Sequence, residues 1–271
     1  MEHFPVQSRR HLQGLNYYVM ATALQKLVSF LDSELGLSDF PEDESANGLQ
    51  IEGRKNIRKI GIAVDACDYV FRKAKENNID FLLVHHGLIW GKVRAVRGIL
   101  KKRIAMLLNS DISLYACHLP LDRHPKYGNN SMILKLLSIE KIGEFGEYHG
   151  KKIGYWGRMR DGVSIKQFAL NVDRTLNTKS SAIIFNKKVR NIGVVSGGGW
   201  FAINEAEKYG IDTFLTGEPS HSAYTLAEEM KVNLVFAGHY ATETPGVKAV
   251  GSLIKKKFGL EVEFIDHPTG L

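Results

Sequence analysis

"IGIAVDACDYVFRKAKENNIDFLLVHH", residues 60–86, reads as strand, helix and strand. IGIAV is rich in β-branched residues, DYVFRKAKENN sets apolar side chains at helical spacing, and IDFLLV is a short apolar run. An apolar run of that kind suits a parallel strand covered on both faces. The pattern returns without a gap at residues 192–218, "IGVVSGGGWFAINEAEKYGIDTFLTGE", at a constant offset of 132. Ile60, Gly61, Ala74, Ile79, Asp80 and Leu83 meet Ile192, Gly193, Ala206, Ile211, Asp212 and Leu215. Both copies continue through a further helix to another strand, "SLYACHLPLD" (113–122) against "LVFAGHYATE" (234–243), where the offset falls to 121. Self-similarity at this spacing predicts an α/β fold of two related lobes.

Outward from the repeat, residues 1–20 show no clean period and read as an N-terminal extension, with no role for His3 or His11. "MATALQKLVSFLDSELGL", from Met20, has helical spacing, as do ILKKRIAMLLNS (99–110) and SIKQFALNVDRTL (164–176). The first lobe is expected over 21–127 and the second over 128–271, with the C-terminal helix and strand available to pack back on the first.

A chain of 271 residues that is 44% hydrophobic is neither disordered nor collagen-like. No window approaches the roughly 18 consecutive apolar residues of a membrane span, and the N-terminus lacks a secretory core, so the expectation is a cytoplasmic protein with no membrane partner. Cys67 and Cys117 are too few for a disulfide framework or a zinc ribbon. The net charge of +7 attracts phosphates or nucleic acid, although its clusters are short and scattered.

Open α/β sheets bind ligands at the carboxyl ends of their strands. Four such ends carry His85 and His86, Gly217 and Glu218, His118 with Asp122, and His239 with Glu243. Nitrogen and carboxylate donors without thiolate suit two divalent ions of Zn, Fe, Mn or Co. Two such ions about 3.5 to 4 Å apart use a set of this size. Successive strand side chains diverge, but past the strand end Gly87 lets the chain turn, so that His85 and His86 can serve separate ions. Capping of the strand by hydrogen bonds is the plainer alternative for that pair. Pro120 argues against a helix in HLPLD, leaving His118 and Asp122 on a strand end and loop. Thr244 and Pro245 suit the N-cap and first position of a helix, which sets Glu243 just before a helix N-terminus. Gly197–Gly199 fits an anion-binding nest or a tight turn. Trp90 and Tyr240 fit either ring stacking on a substrate or ordinary packing. Glu218, at the repeat position of His86, is a candidate proton carrier or a structural carboxylate, and His221 a candidate cavity residue. His124, His149 and His267 read as surface or loop residues.

In order, "NGLQIEG" (47–53), "VHHGLIWG" (84–91), "HLPLDRHPKYGNN" (118–130), "GVVSGGG" (193–199), "TGEPSHSA" (216–223), "GHYATE" (238–243) and "EVEFIDHPTG" (261–270) resemble the GTP cyclohydrolase 1 type 2 homologue family. This family is also called NGG-one-interacting-factor-three-like, and the similarity spans about residues 21–271. The resemblance implies two lobes around a dinuclear metal centre, assembled as a toroidal homohexamer whose ions face an inner cavity. It assigns one ion to His86, Asp122 and Glu243 and the other to His85, His239 and Glu243, with His118 as an orienting neighbour. This chain resembles the compact form, without a long insertion between lobes. The leading functional expectation is a metal-dependent hydrolase of a nucleotide or other phosphorylated small molecule, similar to a GTP cyclohydrolase, with Glu243, Glu218 and His118 as catalytic residues. The competing expectations are a metal-stabilised oligomeric nucleic-acid-binding or scaffold protein, and a metal store.

Overall fold

The computed structural model describes residues 21–92 and 95–271; the extension assigned to residues 1–20 lies outside them. β1 (Thr22–Ala23) leads into α1 (Leu24–Glu34), and β2 (Gly48–Ile51) and β3 (Asn56–Ile57) precede the first repeat. That repeat runs β4 (Lys59–Asp65), α2 (Asp68–Glu76), β5 (Phe81–His86), α3 (Gly98–Leu108) and β6 (Ser113–Ala116). α4 (Leu119–Arg123) and α5 (Asn129–Leu136) lead to β7 (Glu140–Tyr148), β8 (Lys151–Ser164), α6 (Ile165–Leu176) and β9 (Ser181–Ile183). The second repeat has β10 (Lys188–Val195), 3-10 turns in place of the first copy's α2, β11 (Thr213–Thr216), α7 (His221–Met230) and β12 (Asn233–Phe236). α8 (His239–Phe258) and β13 (Glu261–Phe264) close the chain.

Among the described residues two large sheets form, ordered β13-β4-β5-β6-β2 and β7-β8-β10-β11-β12-β9, beside a short antiparallel pair, β1-β3. Each is built on a parallel triplet, β4-β5-β6 in one and β10-β11-β12 in the other. The registers confirm the repeat. Ile60 faces Phe81 and Ile192 faces Thr213, both members displaced by 132 residues. At the third strand the sheet corrects the sequence alignment, because Ser113 faces Phe81 whereas Asn233 faces Thr213, an offset of 120 rather than 121. His118 and His239 are therefore one position out of structural register. They lie beyond the ladder, where backbone pairing no longer constrains the chain.

One of the shared identities has a structural cause. The Asp80 carboxylate accepts the backbone N–H groups of Arg58 and Lys59 at 2.7 and 3.1 Å, and Asp212 accepts those of Arg190 and Asn191 at 3.0 and 2.8 Å. Each aspartate thereby pins the start of the neighbouring strand, a charge-assisted bond to groups that would otherwise compete for water.

α8 joins the two lobes. It leaves the carboxyl end of β12 but buries Tyr240, Val247, Val250 and Ile254 in the core of the first lobe, against Ile60, Ile62, Phe81 and Leu83. Ala241 packs instead into the second lobe's core with Val194, Leu215 and Val235. Burial of each large apolar side chain contributes about 1.5–3 kcal/mol, enough to fix the helix's rotation. β13 then pairs in parallel with β4. Among the described residues no helix is long and apolar enough to cross a membrane.

Candidate metal centre

The carboxyl ends of β5 and β6 and the first turn of α8 meet. Two local expectations fail here for one reason. "LPLDR" is α4, with Pro120 in its first turn, so Asp122 is helical and its N–H donates to His118 O at 3.1 Å. A first-turn proline breaks nothing, because the N–H it lacks would have had no partner within the helix. Likewise α8 starts at His239, not after Thr244, so Glu243 lies one turn inside the helix and Pro245 is internal. The acceptor that Pro245 abandons, Ala241 O, receives the Thr244 hydroxyl at 3.3 Å. The N–H of Gly246 donates to Asn129 Oδ1 at 2.8 Å. Side-chain substitutes thus keep the helix intact where proline normally kinks it. His239 and Glu243, at i and i+4, share a helix face.

Four imidazoles are oriented alike. His85 Nδ1 is bound to Cys117 O at 2.9 Å, His86 Nδ1 to Asp65 at 2.8 Å, His118 Nδ1 to Asp43 at 2.9 Å and His239 Nδ1 to Glu218 at 2.5 Å. With each Nδ1 donating outward, each Nε2 faces inward and offers its lone pair once its own proton has left, the arrangement that surrounds metal-ligating histidines. Glu243 Oε1 lies 3.1 Å from His239 Nε2 and 3.5 Å from His85 Nε2, and its Oε2 lies 3.3 Å from His86 Nε2. Asp122 Oδ2 lies 3.5 Å from His85 Nε2. Asn129 and Ser196 donate to the other oxygen of Asp122, Oδ1, at 2.9 and 2.8 Å, which leaves Oδ2 facing the centre.

Two buried atoms test the fit of a cation. His85 Nε2 and Glu243 Oε2 are buried without a hydrogen-bond partner. Orphaned buried polar atoms are costly unless something else satisfies them, and a cation between nitrogen and carboxylate donors does so. The donor atoms fall into two groups, each within 4.8 Å of one another: His85, Asp122 and Glu243, and His86, His239 and Glu243. This exchanges the two neighbouring histidines relative to the sets implied by the resemblance. His85 is fully buried and faces Asp122, whereas His86 faces the side of α8. His85, His86 and His118 form a third overlapping group.

Electrostatics follow from the crowding. Burial alone would lower His85, but Asp122 and Glu243 outweigh it and raise it to about 10. Burial would likewise lower His239, yet Glu243 and Glu218 raise it to about 9. Burial would raise Glu243; the imidazoles of His86, His85 and His239 hold it well below the usual carboxylate range instead. Near pH 7 the metal-free centre therefore stores protons where a cation would sit. Metal binding is expected to expel about two protons per chain, read by calorimetry in buffers of different ionisation enthalpy. The sign of the stability effect follows. Histidines raised above their unfolded value near 6.5 stabilise the metal-free fold fully below that pH, and the contribution is lost as pH rises through 9 to 10. Melting temperature without metal should fall across that window, while metal affinity rises.

Sequence reasoning did not single out Asp43, Asp65, Asn129 or Ser196. Asp65 ends β4 and was open to the same strand-end rule that selected His86. Asp43 comes from a loop and had no signal. Asp65→Asn and Asp43→Asn are expected to weaken metal retention by roughly 10- to 100-fold with the fold intact, measured by chelator competition; unchanged retention would refute the orienting role. Glu218 stands beside His239, half exposed, as its Nδ1 partner. His221 is exposed at the start of α7. Tyr240 is packed, its hydroxyl donating to Asp266 at 2.7 Å, while Trp90 is 39% exposed. Gly197–Gly199 turns between β10 and the 3-10 segment, and Gly197 N–H donates to Thr242 Oγ1 at 3.0 Å. Gly197 has φ +57°, and a Cβ there would overlap Glu243 Oε1 and come 3.0 Å from His239 Nε2. His124 is partly buried, its Nε2 bound to Glu34 O at 3.0 Å, His267 stacks on Tyr69, and His149 is exposed in the turn between β7 and β8.

Known proteins share this arrangement of chain. A protein of Pyrococcus abyssi named GTP cyclohydrolase 1 type 2 homolog is 46% identical over 253 residues, covering 91% of this chain and 99% of its own. The solved structure of a protein of unknown function, ybgI, superposes with a TM-score of 0.86 at 32% identity, over 92% of this chain and 100% of the other. TTHA1606 from Thermus thermophilus gives 0.83 at 39% identity, over 92% and 100%. The model of the Duf34/NIF3 family (NGG1p interacting factor 3) matches residues 22–270. The chain belongs to the Duf34/NIF3 family.

Proposed function

We propose that this protein is a metal-dependent hydrolase of a nucleotide or other phosphorylated small molecule. In this reading His85, Asp122 and Glu243 hold one divalent cation, and His86, His239 and Glu243 hold a second. The observation that carries the reading is the convergence of inward-facing Nε2 atoms on the buried, ionised Glu243, each imidazole tied outward through Nδ1. Bound cations would supply Lewis acidity and a water ionised near neutral pH. A cavity of about 260 Å³ opens on His86, His239 and Glu243 and is bounded by Asp65, Glu218 and Thr269, which gives a substrate access.

The chain's own residues divide the remaining work. His118 differs from the other three histidines: among the described residues its Nε2 has no carboxylate within ion-pair reach, while Asp43 fixes its ring. It is a suitable group to hold or deliver a proton at Nε2. Glu218 orients His239. The names of relatives such as the Pyrococcus protein favour a nucleotide substrate. A homohexamer in the cytoplasm is part of the same proposal, its assembly read by light scattering.

The test begins with elemental analysis of protein purified without added metal. Turnover of GTP and of generic phosphoesters is then followed for the parent and for His86→Ala. About two equivalents of metal, with turnover lost in the variant, support the hydrolase. Metal bound in full with no turnover of any phosphorylated substrate refutes it.

A further inference from the structure

The segment that follows β13 crosses the mouth of the centre, and we infer that it is a strap that limits the bulk of what reaches the candidate ligands. This rests on the reading above that the cavity of about 260 Å³ is the approach to the centre. β13 runs parallel to β4, so the chain leaves the sheet at the end where Asp65 and His86 lie. It then passes to the second lobe. The carbonyl of Leu271 lies so close to Gly238, the residue before α8, that a Cβ on that glycine would come within 3.0 Å of it. Along this path Thr269 and Leu271 line the cavity, together with Asp65 and His86 of the first lobe and Glu218 and His239 of the second.

The strap is rooted firmly at one end. Ile265 is buried, and its N–H donates to Ile62 O at 2.9 Å. The Tyr240 hydroxyl donates to Asp266 Oδ1 and accepts the N–H of His267, both at 2.7 Å. The His267 ring stacks on Tyr69 with centroids 4.2 Å apart. Beyond His267, among the described residues, no hydrogen bond ties the strap to either lobe; Leu271 N–H donates at 3.3 Å to Thr269 Oγ1, within the strap itself. Residues 268–271 are exposed, and a Cβ on Gly270, at φ +79°, would meet nothing within 4 Å. A segment with a fixed root and few contacts beyond it opens at low cost, as active-site lids do.

The consequence is selection by size. Pockets that take drug-sized ligands measure about 300–1,000 Å³, and the cavity walled by the strap is about 260 Å³. With the strap down, a small anion or the small end of a substrate fits, whereas a bulky group enters only when the strap lifts. A ligand that needs the lifted form is weakened in proportion to how seldom that form is populated. Thr269 and Leu271 present a hydroxyl and an aliphatic side chain to the cavity, so the strap senses bulk rather than charge. Its root is tied to the centre as well, because Tyr240 sits next to His239 in the first turn of α8.

The test uses the full-length chain loaded with cobalt(II), whose visible spectrum reports an anion reaching the ion. Methylphosphonate and naphthylphosphonate carry the same head group and differ in bulk. Both are titrated into the parent, into Tyr240→Phe/His267→Ala, which frees the root, and into Thr269→Gly/Leu271→Gly, which trims the wall and leaves root and core alone. The expected result is naphthylphosphonate bound about 10- to 100-fold more tightly by both variants, with methylphosphonate within about twofold of the parent throughout. Equal naphthylphosphonate affinity in the parent and the trimmed variant overturns the inference, whatever the root variant does. So does an equal gain for methylphosphonate, which would place the effect on the ions rather than on bulk. A chain that takes up no cobalt refutes the metal centre and this inference with it, whereas full uptake with unchanged affinities refutes the strap alone.

Discussion

Glu243→Gln is expected to empty both halves of the centre at once. The carboxylate faces three imidazole nitrogens, at 3.1, 3.3 and 3.5 Å, and belongs to both donor groups that contain a carboxylate. The amide keeps the shape and removes the charge. The His86 and His239 group is then left with no anionic ligand, and the His85 group with Asp122 alone. Metal content should fall from about two equivalents to below one, with hydrolysis down by roughly 10³-fold, about 4 kcal/mol in barrier, the scale of losing one central electrostatic group. The metal-free protein should also lose about 3 kcal/mol, because removing one partner of a buried ionic cluster leaves the others uncompensated. Elemental analysis and thermal melts with and without chelator read both effects. A variant that still retains two ions per chain would rule out a shared carboxylate.

Gly197→Ala should do comparable damage without replacing any ligand. Its φ of +57° costs a side-chain-bearing residue about 1–2 kcal/mol. The added methyl overlaps Glu243 Oε1 and crowds His239 Nε2 at 3.0 Å, a further overpacking cost of about 1–3 kcal/mol. The melting temperature should drop by roughly 5–15 °C, and metal retention should collapse as the carboxylate is displaced. Gly198→Ala is the matched control. Its backbone is not left-handed, and its nearest neighbour would be Glu218 Oε2 at 3.8 Å. Equal behaviour of the two variants would mean that the close approach at Gly197 is irrelevant to the centre.

Much of the fold was legible because it is written in short-range pattern. The apolar runs 81–84 and 213–216 and the helical spacing between strands follow from periodicities that need no tertiary knowledge. The 132-residue offset holds in the sheets because hydrogen-bonded ladders tolerate no slip where both faces are buried. The third-strand offset read from the histidines is one too large because His118 and His239 lie beyond the point where any ladder constrains them. The helix starts at Leu119 and His239 are not legible from the prolines alone, because a proline's cost depends on its position in the helix and on whether a neighbour such as Thr244 serves the abandoned carbonyl.

The candidate ligands were named from strand ends, but not their grouping or their support. Which neighbour, His85 or His86, faces Asp122 depends on how the chain turns past β5. The Asp43, Asp65 and Glu218 contacts to Nδ1 join positions 21 to 75 residues apart. By itself the sequence determined the two α/β lobes, the strand ends and the types of donor they carry. Only the tertiary structure decided that α8, rooted in one lobe and buried in the core of the other, carries Glu243 to His85 and His86. Local pattern fixes what each segment can be, whereas the meeting of segments some 160 residues apart is set by the packing of the apolar face that α8 buries between them.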